Sequence, residues 1–201
     1  MMIRAEALEL SYGKKIVLQD VSFQIEKGRF VALVGDNGSG KSTLLSAMAG
    51  AMKPQKGSLT VSGKIGYIPQ GSGLMEELTF GDNLRFFAAV AHVRVPAALP
   101  FGAEKLLNIR VRDMSGGMKK LCSIVCAVVG QPQVLLLDEP CASLDTEHKR
   151  MLLDYLQEAK DSGITVVYVG HDPTEYRDLA DGYLHVGSQV RLLNKTEEAS
   201  V

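Results

Sequence analysis

The sequence predicts an α/β fold with a mostly parallel central sheet, and three of its features support this prediction. Continuous apolar runs that end at a glycine or at a pair of acids recur at 28–35, 133–140 and 164–170. Runs of this kind are typical of parallel strands that are buried on both faces. A glycine-rich loop follows the first run, and stretches with helical periodicity lie between the runs. Because strands and helices alternate, we expect right-handed crossovers between parallel strands.

The composition limits the class of protein. The 201 residues are 46% hydrophobic and 22% charged, which favours one globular domain or one domain with a small insertion. The net charge is −1 and there is no long basic run, so binding to nucleic acid is not expected. Apolar runs such as 134–138 fall short of the ~20 residues that span a bilayer, and the N-terminus lacks the features of a signal peptide. The three cysteines form no CxxC motif, which favours a reducing compartment and burial in the core over zinc binding.

The first elements are predicted to be strands that form an N-terminal antiparallel β subdomain. Residues 3–10 and 17–25 alternate between apolar and polar side chains. Residues 58–69 predict two short strands around a glycine turn. A helix over 41–52 follows the glycine-rich loop and is stopped by glycine and proline.

A short inserted α-helical subdomain is predicted next. Thr79 and Asp82 form a capping-box pattern, and a helix is expected over 83–93. Prolines and a glycine then interrupt the pattern, and further helices are expected around 103–108 and over 116–129.

The remaining residues return to the alternation of helices and strands. An amphipathic helix is predicted over 146–163 and a short helix over 173–180. The segments 182–186 and 189–193 predict a hairpin. The polar tail 194–201 is expected to be frayed.

The glycine-rich loop has the pattern of a phosphate-binding loop. The stretch "GDNGSGKS" at 35–42 fits G-x-x-x-x-G-K-[ST]. Backbone N–H groups in such a loop converge on phosphate oxygens, and the following helix points its positive end at the same place. Lys41 is expected to contact the outer phosphates and Ser42 to bind Mg²⁺. The loop therefore predicts a P-loop NTPase fold, and a glycine-rich turn with a stray lysine is the weaker interpretation.

A pair of acids follows the apolar run "VLLL". Asp138 and Glu139 are placed at the carboxyl end of a buried strand, which is where parallel sheets bind their ligands. Asp138 is expected to hold the magnesium shell, and Glu139 to orient or deprotonate the attacking water. An isolated Asp-Glu pair is more often a solvated strand end, but the phosphate loop favours the functional interpretation here.

Six short motifs together resemble the nucleotide-binding domain of the ATP-binding-cassette (ABC) family. In chain order they are "GDNGSGKST", "YIPQ", "MSGGM", "VLLLDEP", "ASLD" and "GHD". The resemblance covers residues 3–193 and implies one ABC ATPase domain over 1–201. Its implied parts are a catalytic core with the β subdomain (1–70 and 133–193), a helical subdomain with the signature motif (71–132) and a flexible tail (194–201).

The resemblance also implies a role for each matching residue. It assigns catalysis to Glu139, His171, Gln70 and Lys41, and the metal to Ser42, Gln70 and Asp138. It assigns ATP binding to Tyr12, Gly35, Asn37, Gly38, Ser39, Gly40, Lys41, Ser42 and Thr43. Three residues have a plainer alternative role. For Tyr12 this role is packing rather than adenine stacking, and for Asp145 it is a helix N-cap in addition to a dimer contact. For His171 it is that of a packed or surface histidine.

The stretch "DMSGGMKK" at 113–120 resembles half of a nucleotide site. The resemblance implies that Ser115, Gly116, Gly117 and Met118 contact an ATP that is bound by another subunit. Lys119 and Lys120 are unfavourable at the positive end of a helix and are expected beside a triphosphate or in solvent. A homodimer, or a heterodimer with a similar ABC ATPase domain, follows from this interpretation.

The resemblance implies ATP and Mg²⁺ as cofactors and a separate integral membrane permease as a partner. It places the chain in the cytoplasm, peripheral at the inner face of the cell membrane. Leu74, Met75, Phe80, Phe86 and Phe87 supply either the docking surface for the permease or the core of the helical subdomain, and the core is favoured for most of them.

Two departures from the family pattern narrow the subfamily. The signature has Met118 where glutamine is common, and Leu121 and Cys126 replace arginines that are usual after it. "SGGM" followed by basic residues, with "LMEELTFGDNLRFFA" at 74–88, resembles the branch that serves ABC-2-type exporters.

The competing functions are a soluble ABC ATPase that acts on nucleic acid or ribosomes, and a regulatory nucleotide-binding protein. The near-neutral charge disfavours the first function, and Glu139 and His171 disfavour the second.

Overall fold

The central sheet of the protein has six strands, of which five are parallel. The structure is a computed structural model that describes residues 1–187 and 190–195. The strand order is β5-β6-β7-β3-β8-β9, and only β9 runs antiparallel to its neighbour. The strands are β3 (Phe30–Val34), β5 (Ile65–Ile68), β6 (Val134–Asp138), β7 (Thr165–Val169), β8 (Gly182–Val186) and β9 (Val190–Asn194). The predicted α/β fold with a mostly parallel sheet is confirmed.

A second sheet of three antiparallel strands covers one side of the first. It has the order β2-β1-β4, where β1 is Ile3–Tyr12, β2 is Lys15–Ile25 and β4 is Lys56–Val61. Buried side chains such as Leu8 and Leu10 pack in one core cluster with Leu44 of the first helix and with the central sheet. Burying these apolar faces against each other joins the two sheets, and the predicted N-terminal antiparallel β subdomain is confirmed.

In the described part of the chain, four α-helices connect and cover the strands. They are α1 (Lys41–Met48), α2 (Phe80–Val90), α3 (Gly116–Val128) and α4 (Thr146–Asp161). The predicted capping box is present, because the Thr79 hydroxyl accepts from the Asp82 N–H at 3.1 Å and the Asp82 carboxylate accepts from the Thr79 N–H at 3.4 Å. Since Thr79 is the N-cap, α2 begins at Phe80, three residues before the predicted start.

Two predicted short helices are shorter than predicted and are 3₁₀ rather than α-helical. The helix predicted around 103–108 lies in the 3₁₀ segment Pro100–Leu106, in which Phe101 and Gly102 have positive φ angles of 63° and 62°. This left-handed backbone separates the start of the segment from its helical part at 103–106. In place of a helix over 173–180 there is one 3₁₀ turn, Pro173–Glu175.

The apolar side chains of the insertion divide into buried and exposed ones. Leu74 and Phe80 are buried in a core cluster, and Phe87 packs against that cluster. Met75 and Phe86 are 37% and 51% exposed. The core interpretation is therefore confirmed for three of the five residues.

Asn194 near the chain end belongs to the central sheet, and the three cysteines are buried. The predicted tail is wrong at its first residue, because Asn194 pairs with Gly182 in the sheet; residues 196–201 lie outside the described residues. All three cysteines are buried, and burial raises the pKa of Cys122 and Cys126 to about 12 and that of Cys141 to about 11. Within residues 1–187 and 190–195, no helix is long and apolar enough to cross a bilayer.

Candidate active site

The phosphate loop connects the end of β3 to the start of α1. Gly35 has a φ of 144°, and a Cβ atom added there would overlap the Val186 carbonyl oxygen, so only glycine fits. Gly40 is the N-cap of α1 with a φ of 107°, and it provides no side chain to cap the helix. The first N–H groups of α1 therefore remain available to an anion.

Lys41 folds back over this loop. Its side chain is largely buried, and its Nζ donates to the carbonyl oxygens of Gly35 at 2.7 Å and Asp36 at 2.9 Å. These two bonds hold the ammonium group at the mouth of the loop. A phosphate placed on the loop would meet both the positive charge of Lys41 and the start of α1.

Asp138 has an oxygen atom that lacks a partner. The residue is 3% exposed at the end of β6, and its Oδ1 has no hydrogen-bond partner among the described residues. Burial raises the pKa of Asp138 above its usual range, and a hydrogen bond from Ser42 offsets part of this effect. A buried, unpaired carboxylate oxygen beside a hydroxyl group has the chemistry of a site for a hard cation.

Three polar side chains meet at the carboxyl edge of the central sheet. Gln70 follows β5, Glu139 follows β6 and His171 follows β7, and these three strands are neighbours in the sheet. The Gln70 Nε2 donates to one oxygen of the Glu139 carboxylate at 3.2 Å, and the His171 Nε2 lies 2.8 Å from the other. The neighbouring strand ends therefore bring together three residues that are separated by 69 and 32 positions in the chain.

Glu139 has an unusual backbone conformation. Its φ is 49°, in the left-handed region that non-glycine residues rarely adopt. The Glu139 N–H donates to the Val169 carbonyl at 2.9 Å, which holds this conformation in place. Such conformations cost of order 1–3 kcal/mol and are concentrated at functional sites.

Most of these groups line one open cleft of about 500 Å³, but Asp138 is not among its lining residues. Most of the predicted site residues line it; they are Tyr12, Asn37, Gly38, Gly40, Lys41, Ser42, Thr43, Gln70, Glu139 and His171. Tyr12 is 57% exposed at the end of β1. The cleft thus joins the phosphate loop, the ends of three strands and an exposed aromatic ring.

The signature residues lie elsewhere. Ser115 is the N-cap of α3, and its hydroxyl accepts from the Met118 N–H at 3.2 Å. Gly116 and Gly117 pack closely on Ser143, and a Cβ atom added at Gly117 would lie 3.0 Å from the Ser143 carbonyl oxygen. Among the described residues that line the cleft, none comes from the signature.

Asp145 also lies outside the cleft. It is the N-cap of α4 and accepts from the His148 N–H at 2.9 Å, as the plainer interpretation predicts. The His148 ring Nδ1 lies 2.8 Å from the same carboxylate. These bonds lower the pKa of Asp145 below its usual value.

The solvent alternative for Lys120 is wrong. Lys120 is 4% exposed and does not line the cleft of its own chain; its Nζ donates to two backbone carbonyls instead. Its position beside a partner's triphosphate stays a prediction. Lys119 behaves differently, since it is half-buried and forms an ion pair of 2.8 Å with Glu76.

Three residues that line the cleft are missing from the sequence prediction. Lys15 and Val17 lie on β2, and Val169 ends β7. Lys15 pairs directly with Tyr12 in the β1–β2 register. The alternation of β2 puts Lys15 and Val17 on one face, but only the placement of β2 over the phosphate loop identifies that face as the one that lines the cleft.

Comparison with known proteins gives consistent matches over the whole chain. The profile of the ABC transporter family matches residues 18–142. The linearmycin resistance ATP-binding protein LnrL of Bacillus subtilis is 32% identical, over 99% of this chain and 71% of its own length. A solved structure of the ATP-binding subunit of an ABC transporter has a TM-score of 0.87 at 29% identity, over 96% of this chain and 90% of its own. A dimeric ATP-binding cassette in a post-hydrolysis state with ADP and Pi has a TM-score of 0.81 at 23% identity, over 96% of this chain and 99% of its own, which supports the fold.

Proposed function

The chain belongs to the ABC transporter family, and we propose that it is the ATP-hydrolysing subunit of a transporter. In this role it pairs with a second ATP-binding domain and drives a separate membrane permease. One observation carries the proposal: the carboxyl ends of β5, β6 and β7 place Gln70, Glu139 and His171 in the same cleft as the phosphate loop.

In our proposal, ATP lies along the cleft with its phosphates at one end and its adenine at the other. The loop amides and Lys41 bind the β- and γ-phosphates, since both present positive charge to the same space. At the other end, the exposed ring of Tyr12 stacks on the adenine. Stacking buries a ring that is otherwise more than half exposed, and it explains why an aromatic residue lies at the mouth of a polar cleft.

Asp138 and Ser42 fit a magnesium ion. The free Oδ1 of Asp138 and the Ser42 hydroxyl are hard oxygen ligands, and Mg²⁺ is usually bound by one or two carboxylates together with substrate phosphates. When bound, the ion neutralises charge on the phosphate oxygens. Gln70 lines the same cleft as Ser42 and would add its amide oxygen as a further ligand.

Hydrolysis depends on the Glu139 carboxylate. In our proposal Glu139 accepts a proton from the attacking water while it is ionised. Gln70 contacts one oxygen of the Glu139 carboxylate and His171 contacts the other, and these two contacts fix the direction in which the carboxylate points. When nucleotide is bound, we expect His171 to exchange its contact with Glu139 for one with the γ-phosphate, and Lys41 to stabilise the charge that develops on that phosphate.

Dimerisation supplies a helix end that is missing from the cleft of a single subunit. Ser115 and the first N–H groups of α3 form a helix end that would bind an anion, and they do not line the cleft of their own chain. A second copy, or a similar domain, would bring this helix end to the γ-phosphate. We therefore propose that ATP is bound between subunits and that Asp145 contacts the partner.

The permease would dock beside Gln70 on the helical insertion. Met75 and Phe86 are the two candidate docking residues that the fold leaves exposed. The "SGGM" stretch supports the exporter branch as the type of transporter.

This proposal is tested by measuring phosphate release from ATP by the purified chain. We expect Mg²⁺-dependent hydrolysis that increases when a polytopic membrane protein encoded by the neighbouring reading frame is added in detergent or nanodiscs. We also expect the two proteins to copurify. Absence of hydrolysis both with and without that membrane protein would contradict the proposal.

Lys15 provides a test of the nucleotide position. Lys15→Met is expected to weaken ATP binding by about 1.5- to fivefold, because exposed charge pairs typically contribute about 0.2–1 kcal/mol. Lys14→Met is the matched control, since Lys14 is equally exposed but does not line the cleft. Titration with a fluorescent ATP analogue measures both, and equal affinities for the two variants would contradict this placement of the nucleotide.

A further inference from the structure

Lys120 is a buried cation that lies near the start of α3 and outside the cleft. Its exposure is only 4%, and a positive charge is unfavourable near a helix N-terminus. Burial lowers its pKa, and the nearby carboxylates of Asp138 and Glu139 partly oppose this shift. A charged side chain is rarely buried without a specific partner, so its contacts show what it does.

Those contacts are two backbone carbonyls at the end of β5. The Nζ of Lys120 donates to the carbonyl oxygens of Pro69 and Gln70, both at 3.0 Å. β5 ends at Ile68, so these two carbonyls lie beyond the strand. Lys120 supplies the donors that the sheet no longer provides there, and it holds the backbone of Gln70 against α3.

The two segments that Lys120 joins belong to different nucleotide sites. Gln70 reaches Glu139 in the cleft of its own chain, whereas α3 begins at Ser115, which would meet the nucleotide of a partner subunit. We propose that Lys120 is a positioning residue that fixes Gln70 to α3, so that Gln70 takes its catalytic position only when α3 is correctly placed. This inference rests on the proposed function, because it assigns Lys120 a role in the same hydrolysis.

Turnover measurements separate this role from simple stabilisation. Lys120→Met is expected to lower kcat by about tenfold to a hundredfold, as loss of a supporting contact to a metal or catalytic group commonly does, with little change in the Kd for ATP. Lys120→Arg should restore most of the turnover, since it can donate to both carbonyls. Lys105→Met is the control for loss of a lysine in the same subdomain, and it should leave turnover unchanged because Lys105 is exposed and does not line the cleft.

A double-mutant cycle tests whether Lys120 acts through Gln70. In a Gln70→Ala background, Lys120→Met is expected to cause little further loss, because two residues that act through one contact are not additive. A loss in that background as large as in the wild type would overturn the proposal. If Lys120→Met does not fold, Lys120→Gln, which keeps one donor group, serves in both backgrounds.

Hydrogen exchange tests the proposal without ATP hydrolysis. The amides of residues 70–73 should exchange faster in Lys120→Met than in Lys105→Met, while those of β6 remain the same in both. Equal exchange at residues 70–73 would overturn the proposal. Since this measurement needs no turnover, a wild-type chain without ATPase activity would contradict the proposed function and still leave the role of Lys120 decided by exchange.

Discussion

Glu139→Gln is expected to lower the turnover of ATP by about 10²–10⁴-fold, the usual contribution of a general base. Glutamine has the same shape as glutamate but cannot accept a proton from water at neutral pH. Its amide can still bond to Gln70 or to His171, so the backbone and the cleft should keep their geometry. The loss should therefore appear in kcat.

ATP binding should survive the same substitution. Glu139 contributes a negative charge to a cleft that holds a triphosphate, and its removal reduces repulsion. We expect an unchanged or slightly lower Kd for ATP and an ATP-bound dimer that persists, which size-exclusion chromatography with ATP would detect. Glu158→Gln is the control, because Glu158 is an exposed acid on α4 away from the cleft. Unchanged turnover in Glu139→Gln would remove Glu139 from the catalytic role.

The central sheet and the site could be predicted because the same residues encode both. The apolar runs at β3, β6 and β7 are buried on both faces, and each is followed within a few residues by residues that we propose for the site. Parallel strands in one sheet end on the same edge. Once the strands are identified, the convergence of Glu139 and His171 at that edge follows from chain order alone.

Backbone conformation and distant contacts could not be predicted in the same way. Periodicity reports which face is buried, not the φ angle, so the left-handed Phe101 and Glu139 leave no pattern in the sequence. Lys120 lies 50 positions from Gln70, and a lysine near a glycine pair is expected in solvent. Its burial depends on two backbone carbonyls that no side-chain pattern reveals.

Ser115→Arg is expected to abolish turnover while leaving ATP binding by a single subunit unchanged. Ser115 and Gly116 are exposed, so the larger side chain fits on the isolated subunit. None of the signature residues lines the cleft of its own chain, so the first nucleotide contacts remain intact. In a dimer, the arginine would occupy the space between the start of α3 and the nucleotide of the partner.

Ser115→Ala separates this effect from loss of the helix cap. Alanine removes the hydroxyl oxygen that accepts from the Met118 N–H, and this should lower the free energy of unfolding by about 1 kcal/mol. It adds no bulk, so the dimer should still close and retain part of its turnover. Thermal unfolding and phosphate release on both variants distinguish a blocked interface from a weakened helix.

Mixing two inactive variants tests whether Ser115 acts on the partner's nucleotide. A dimer of one Ser115→Arg chain and one Glu139→Gln chain has one site with both defects and one site with neither. With random pairing and independent sites, about a quarter of the wild-type turnover should return, although each variant alone is inactive. If Ser115 acted within its own chain, each chain of the mixed dimer would keep its own defect and no activity would return. A Ser115→Arg chain that remained monomeric and hydrolysed ATP at the full rate would show that the signature does not complete a partner's site.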